Sequence, residues 1–501
     1  MIDLLLTLAT YQRVIELLAV VITVVILLSS LDDLLIDTWY WVRNFYRWFW
    51  IRARFPRLTA EALDAKPERP IAIMVPAWKE SEVIQAMLET SNTLIRYSDY
   101  RFFVGVYQND AETIAEVKAA MARFPNVSMS VVPRDGPTSK ADCLNIVLAD
   151  IRAHEIKTGR PFVGVALHDS EDVIHPYELK LFNYLLDRMD LIQLPVYSFP
   201  RGIHELVAGT YMDEFAEWHS KDLVVRESMT GVVPCAGVSA CFSHRAIGAL
   251  RVEREGEVFS TTSLTEDYDI AFRLAKMGMR EIFVRFPVSM VVENVGADGQ
   301  PQITRRNMPI ATREFFPEDF RAAYRQRARW LLGIAFQGWS QHGWEGNLGA
   351  KYFFLRDRKG LITAPAAILA YFVMFSLVAL QALFQFLPEV QRPPYVLLDT
   401  DLYRALLVAN LVLLVNRLVQ RTLFTTRIYG IWQGLMAGPR MIVSNLLNFF
   451  ATLRAAFIFA RHKATGKPIV WDKTTHSYPF QVSAAGVAAV TDGITLPVGK
   501  S

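Results

Sequence analysis

From Ile362 to Leu387 the chain carries no charged side chain. A membrane-crossing helix needs about 20 such residues, because lipid offers its backbone no hydrogen-bond partners. This stretch predicts a span, so the rest of the chain has to be arranged about a bilayer. A second uncharged run, Leu17 to Leu31, predicts another span near the amino terminus. It lacks the basic start and small-residue cleavage site of a signal peptide. Trp39 to Arg54 then mixes aromatics with Arg43, Arg47, Arg52 and Arg54, the composition of a helix at headgroup level. Its arginines predict that this side is cytoplasmic and that the amino terminus lies outside. Lys351, Arg356, Arg358 and Lys359 mark the same side before the second span, and Pro388 to Asp401 reads as an external loop. Ala405 to Val415 is apolar but short; Arg417, Arg421 and Arg427 after it predict a third span returning to the cytoplasm. In Ile428 to Ala460, Gly430, Gly434, Gly438 and Pro439 predict an early break. Ser444, Asn445, Asn448 and Thr452 then share one helical stripe, which predicts an interfacial helix on the cytoplasmic side. The tail after Gln481 is rich in small residues and predicts disorder.

Between these flanks, about 60–346 has the composition of a globular domain. The expected layout is 1–58 for the first span and interfacial segment, 60–346 for the domain, 347–466 for further membrane helices, and 467–501 for a cytoplasmic loop and tail. Ile71 to Pro76, Phe102 to Tyr107, Val127 to Val132 and Phe162 to Leu167 read as strands. Helices are expected over Glu80 to Arg96, over Ala111 to Arg123, and from about Lys140. That alternation predicts an α/β, mainly parallel, doubly wound sheet. Net charge is +3, from 53 basic and 50 acidic residues; this excludes the basic footprint of a nucleic-acid binder. Cys143, Cys235 and Cys241 have neither disulfide-framework nor zinc spacing and predict buried thiols. There is no G-x-G-x-x-G and no P-loop.

The chemistry starts where Phe162 to Leu167 ends in His168-Asp-Ser-Glu-Asp172. Ligands of open α/β sheets bind beyond the carboxyl ends of strands. Asp169 and Glu171, one residue apart, can share Mg²⁺ or Mn²⁺ and leave positions open for phosphate oxygens. The competing reading is that they cap the next helix. Asp110 ends an earlier strand, and Thr265-Glu-Asp267 supplies a third acidic station. Gln326-Arg-Ala-Arg-Trp330 follows, just upstream of the membrane. Gln326 and Trp330, four apart, share a helical face.

The order of these acids and the Q-x-x-R-W pentamer resemble the membrane-embedded family-2 glycosyltransferases, the group of cellulose, chitin and hyaluronan synthases. The likeness covers about Ile71 to Trp330. Val75-Pro-Ala-Trp-Lys-Glu80, Gly136-Pro-Thr-Ser-Lys-Ala-Asp-Cys-Leu-Asn145 and Asp213-Glu-Phe-Ala-Glu217 narrow it to the phage adsorption protein B group of inner-membrane glycosyltransferases. Larger members of that group carry a carboxyl-terminal domain for cyclic di-GMP, which this stretch ends before.

The resemblance implies a GT-A fold and inverting, metal-dependent transfer from a UDP-sugar. It implies that Asp169 and Glu171 match the D-x-D metal acids, with Glu in second place. It places the donor on Pro76, Glu80, Asp110, Lys140 and Arg329 as well, Asp110 having strand-end capping as its alternative. Asp267 matches the general base. Glu266, Gln326 and Trp330 fall on the acceptor side, Trp330 as a flat platform for a sugar ring. Asp269 is expected to cap a helix beginning near Ile270. Val233 to Ala240 is read as acceptor wall, and Lys473 and His476 as a loop resembling the synthases' gate. The implied partners are a UDP-sugar, a glycan or lipid-linked acceptor, membrane lipids and an outer-membrane export partner. Transfer of one sugar to a lipid carrier, or a non-catalytic part in export, are the alternatives.

Overall fold

The computed structural model describes residues 2–295, 301–344, 346–386, 393–466 and 478–479. Lys473, His476 and the tail after Gln481 lie outside them. Eight strands, β1 (Ile71–Pro76), β2 (Tyr100–Tyr107), β3 (Val127–Val132), β4 (Gly164–Leu167), β5 (Leu191–Gln193), β6 (Val196–Ser198), β7 (Ala240–Ser243) and β8 (Glu281–Phe283), precede a hairpin-like pair, β9 (Pro287–Val295) and β10 (Pro301–Pro309), and a short β11 (Thr312–Glu314). The main sheet runs β3-β2-β1-β4-β7-β5-β8. β7 is antiparallel to both neighbours, and the other pairings are parallel. Alternate residues of β1 feed opposite cores: Ile71, Ile73 and Val75 pack on one face, Ala72 and Met74 on the other. That is why these strands read as continuous apolar runs in the sequence. The three cysteines are free and buried.

The helix expected over Glu80 to Arg96 begins only at Ile84 and ends at Leu94. Lys79 adopts φ +56°, and its N–H is bonded 2.6 Å from Asp110 Oδ2, so the residues after β1 are held out of helical geometry. Glu281 is pushed up to about 8, chiefly by burial, against the hydrogen bond from Val233 N–H and the pull of Arg226. Its Oε1 has no hydrogen-bond partner among the described residues, so its charged form is disfavoured in the folded chain. With its folded pKa above its unfolded one, this carboxyl costs stability as pH rises from the ordinary carboxyl range to about 8, and no more beyond that. Glu281→Gln should therefore match wild type below about pH 4. It should gain on wild type by up to about 1.4 kcal/mol per pH unit between about pH 4.5 and 8 and level off above, read from urea midpoints at stepped pH.

Among the described residues, four helices are long and apolar enough to cross a membrane: Ile2–Tyr46, Gly360–Phe386, Asp401–Tyr429 and Ile431–Thr465. The third extends well beyond Ala405 to Val415. Polar residues beyond that stretch have partners within the bundle: Asn416 donates to Asp37 at 2.7 Å and Arg417 pairs with Asp33. In the fourth, Gly434, Gly438 and Pro439 do not break the helix as expected; only Gly430, at φ +92°, interrupts the chain. A Cβ on Gly434 would sit 2.0 Å from Thr426 Oγ1, so glycine lets this helix fold back tightly on the preceding one. The polar stripe expected along it is used against neighbours. Asn445 bonds Tyr371 at 2.7 Å, Ser444 donates to Glu214, and Asn448 accepts from Arg327 at 2.7 Å.

The helix Leu206–Glu217 joins domain to bundle through its acids. Asp213 takes a two-pronged grip from Arg440, with Nε and Nη2 at 2.8 and 2.7 Å. Glu214 pairs with Arg327 at 2.8 Å, and Glu217 with Arg421 and Lys221 at 2.7 Å each.

Candidate active site

At the end of β4 the chain turns over a buried histidine. His168 Nδ1 lies 2.9 Å from Asp172 Oδ2, and Nε2 lies 2.7 Å from Glu178 Oε1. All three are fully buried. Burial alone would lower the imidazole, but Glu178 and Asp172 reverse this and push it up to about 10. Asp172 Oδ2 also accepts the Asp169 N–H at 3.1 Å, which folds the acidic loop back on the strand. Glu178 Oε2 accepts from Ser239 Oγ and Thr312 Oγ1 at 3.4 and 3.3 Å. One buried cluster thus braces three walls of a cleft.

Lys140 opens the helix Lys140–Thr158, whose cap Ser139 accepts from Asp142 N–H. Its Nζ is 2.6 Å from Asp169 Oδ1 and donates to Gly237 O at 3.4 Å. Burial works against its charge, yet Asp169, Glu266 and Asp267 outweigh that and hold it well above the usual lysine range. Glu266 and Asp267 begin the helix Glu266–Lys276. The start expected near Ile270 is therefore four residues late. Asp269 lies inside the helix and faces Arg273 at 3.5 Å, so it is no cap. Burial, then Asp267, pushes Glu266 up to about 8. Burial also raises Asp267, against the pull of Lys140. The turn is positioned closely. Gly237 has φ +78°, and a Cβ there would meet Asp267 Oδ2 at 2.4 Å. Leu264 N–H donates to Gln337 Oε1 at 2.9 Å, tying the T-E-D turn to the segment after Trp330.

The cleft gathers Pro76, Glu80, Lys140, Asp169, Glu171, Glu266, Asp267, Gln326, Arg329 and Trp330. Of the expected wall, Ala236 and Val238 line it. Asp110 does not line it: its Oδ1 caps the helix Ala111–Arg123 at Thr113 N–H, and Oδ2 holds Lys79 N–H. That is its capping alternative. The helix Phe320–Leu331 carries the Q-x-x-R-W residues and is capped by Asp319. Trp330 meets Tyr211 and Phe316 edge-on, at 6.1 and 6.4 Å. Gln326 Oε1 is buried with no hydrogen-bond partner among the described residues, so it can accept a ligand hydroxyl. Arg327 is buried against Glu214 and Asn448.

Sequence reasoning missed Trp78, Ser263, Glu314 and Phe316, which also line the cleft. Glu314 ends β11; burial, then Asp172, Glu171 and Asp169, pushes it well above the usual carboxyl range. Its only signal in the sequence was its place shortly before the pentamer.

The donor set suits a divalent metal. Asp169 and Glu171 offer two hard oxygen ligands; Lys140 engages Oδ1 of Asp169 and Ser170 Oγ bonds Glu171 at 3.1 Å. Among the described residues no group of three candidate ligands exists. A cation here would complete its shell with phosphate oxygens and water, as Mg²⁺ or Mn²⁺ does.

Residues 164–384 match the family described as glycosyl transferase family group 2. The chain is 45% identical over 473 residues to the bacteriophage adsorption protein B of Escherichia coli K12, covering 94% of this chain and 63% of that protein. The same figures hold for the bacteriophage N4 adsorption protein B of Escherichia coli O157:H7. The chain thus spans less than two thirds of the length of these relatives. Among solved structures it is similar to a mannosyltransferase, PcManGT from Pyrobaculum calidifontis in complex with GDP-Man and Mn²⁺, at 16% identity and TM-score 0.47, covering 79% of this chain and 98% of that one. Residues 164–384, which hold β4, the acidic loop and the pentamer, thus match a family-2 glycosyltransferase domain, set on a mixed, mainly parallel α/β sheet.

Proposed function

We propose that the chain is an inverting, metal-dependent membrane glycosyltransferase that moves a sugar from a UDP donor onto a growing, exported polysaccharide. One observation carries the reading: the acid pair Asp169/Glu171, the carboxylate Asp267 and the Gln326/Trp330 face all open into the same cleft. Asp169 and Glu171 would hold Mg²⁺ or Mn²⁺, which when bound supplies positive charge to the departing diphosphate. Lys140 and Arg329 add fixed cations for the same phosphates. Pro76 and Glu80 at the end of β1 border the nucleotide end, with Asp110 shaping that border from behind.

Asp267 takes the proton from an acceptor hydroxyl as that oxygen bonds to the anomeric carbon. The bond from that carbon to the phosphate oxygen breaks, and UDP leaves with the electron pair. A single displacement inverts the carbon and needs no second nucleophile. Burial raises Asp267 toward the range in which a carboxylate is a useful base. Glu266 and Gln326 orient the acceptor, and Trp330 gives its ring a flat face.

The arginines after the first helix favour a cytoplasmic catalytic domain in a bacterial inner membrane. An outer-membrane partner would receive the product. A second reading is transfer of one sugar to a lipid carrier. A cavity of about 810 Å³ among the four long helices favours it: Val25, Ile26, Met374 and Leu411 form apolar wall, with Lys359 and Arg417 also lining it. The test is UDP release from a panel of UDP-sugars by purified protein with Mg²⁺ or Mn²⁺. Release from at least one sugar is expected; none from any would overturn the proposal. Product mass separates a polymer from a single transfer.

A further inference from the structure

Glu314 stands out as an acid in the cleft with no ion pair among the described residues; three other carboxyls act on it and outweigh the pull of Lys140. A lone carboxyl among like charges is costly, so a ligand group that meets it would offset that cost. Its backbone is fixed on every side. Arg313 and Val173 exchange hydrogen bonds at 2.9 and 3.3 Å, which links β11 to the loop after the metal acids. Glu314 O accepts the Phe199 N–H at 2.9 Å, and β11 runs in parallel register with β6, Glu314 opposite Ser198. Two residues on, Phe316 stacks on Tyr211 at 4.7 Å. The side chain is half-buried, which leaves it open to the cleft.

Position decides what it meets. The nucleotide end is bordered by β1, and the neighbouring β4 delivers Asp169 and Glu171 for the phosphates. Glu314 feels the charges of Asp169 and Glu171, and Phe316, two residues on, meets Trp330 edge-on at 6.4 Å, so its strand joins the acid pair to the Gln326/Trp330 face. The group bonded to the second phosphate of a UDP-sugar is the sugar itself. Resting on the donor reading above, we propose that Glu314 reads a ring hydroxyl of the sugar being transferred, and so helps to select the donor. Its two oxygens can take hydrogen bonds from one hydroxyl or from a neighbouring pair, as carboxyl groups do in polar sites.

The test uses full-length protein in detergent with Mn²⁺. Affinities for UDP, UDP-glucose, UDP-galactose, UDP-N-acetylglucosamine and UDP-N-acetylgalactosamine are measured for wild type, Glu314→Gln and Glu314→Ala. UDP affinity should stay within about twofold in both variants, which also shows that they fold. The affinity of the best UDP-sugar relative to UDP should fall about tenfold or more, further for alanine than for glutamine, as expected for one lost polar contact. An unchanged ratio in both variants overturns the assignment. Loss of UDP affinity itself also overturns it, because Glu314 would then serve the metal and phosphates. Wild type that binds UDP but no UDP-sugar overturns the donor reading, and this assignment with it.

Discussion

Asp267→Asn should lower the rate of sugar transfer about 10²- to 10⁴-fold, the usual contribution of a positioned general base. Asparagine keeps the shape that fits against Gly237, where there is no room for a Cβ. The amide still accepts the Tyr268 N–H that Asp267 Oδ1 accepts at 2.7 Å. It cannot take up a proton. Donor affinity should therefore remain near wild type while turnover collapses, which separates loss of the base from loss of the cleft. The measurement is UDP release against time with the best donor of the panel. Turnover within tenfold of wild type would move the base elsewhere, with Glu266 in the same turn the next residue to test.

Arg440→Met should cost about 3–5 kcal/mol, as removing one partner of a buried ion pair does. Arg440 is fully buried and makes four hydrogen bonds, two to Asp213 and two to Gln433. Its loss leaves Asp213 buried in the domain's own helix without its guanidinium. Closeness matters as well as charge, since Gly209 is the residue that lets the arginine pass. The double variant Asp213→Asn/Arg440→Met should recover much of the loss, because neither charge then remains. Thermal unfolding in detergent reads both. Equal destabilisation by single and double variants would show that Arg440 acts through packing alone.

Much of the domain could be read from the chain because its strands are buried on both faces and punctuated by polar ends. β1, β3 and the helix Ala111–Arg123 fall on their expected residues. Local reading failed where tertiary contacts override propensity. The helix after β1 starts late because Asp110 holds Lys79, and the helix from Ile431 continues through Pro439 because its glycines abut a neighbouring helix rather than break the chain. The acids of the cleft were visible because each sits at a strand end or opens a helix. Glu314 and Phe316 were not, since β11 is three residues long and has no period to detect. Asp269 was misread because the true helix start is Thr265, whose side chain makes no cap bond that the sequence would suggest.

Arg327 belongs by sequence to the pentamer helix and by contact to its neighbours in and beside the bundle, through Asn448, Glu214 and Thr210. Three residues on, the indole of Trp330 faces the cleft. A shift of the last long helix would therefore be felt by the pentamer helix and, through it, by the residue proposed above as the sugar platform.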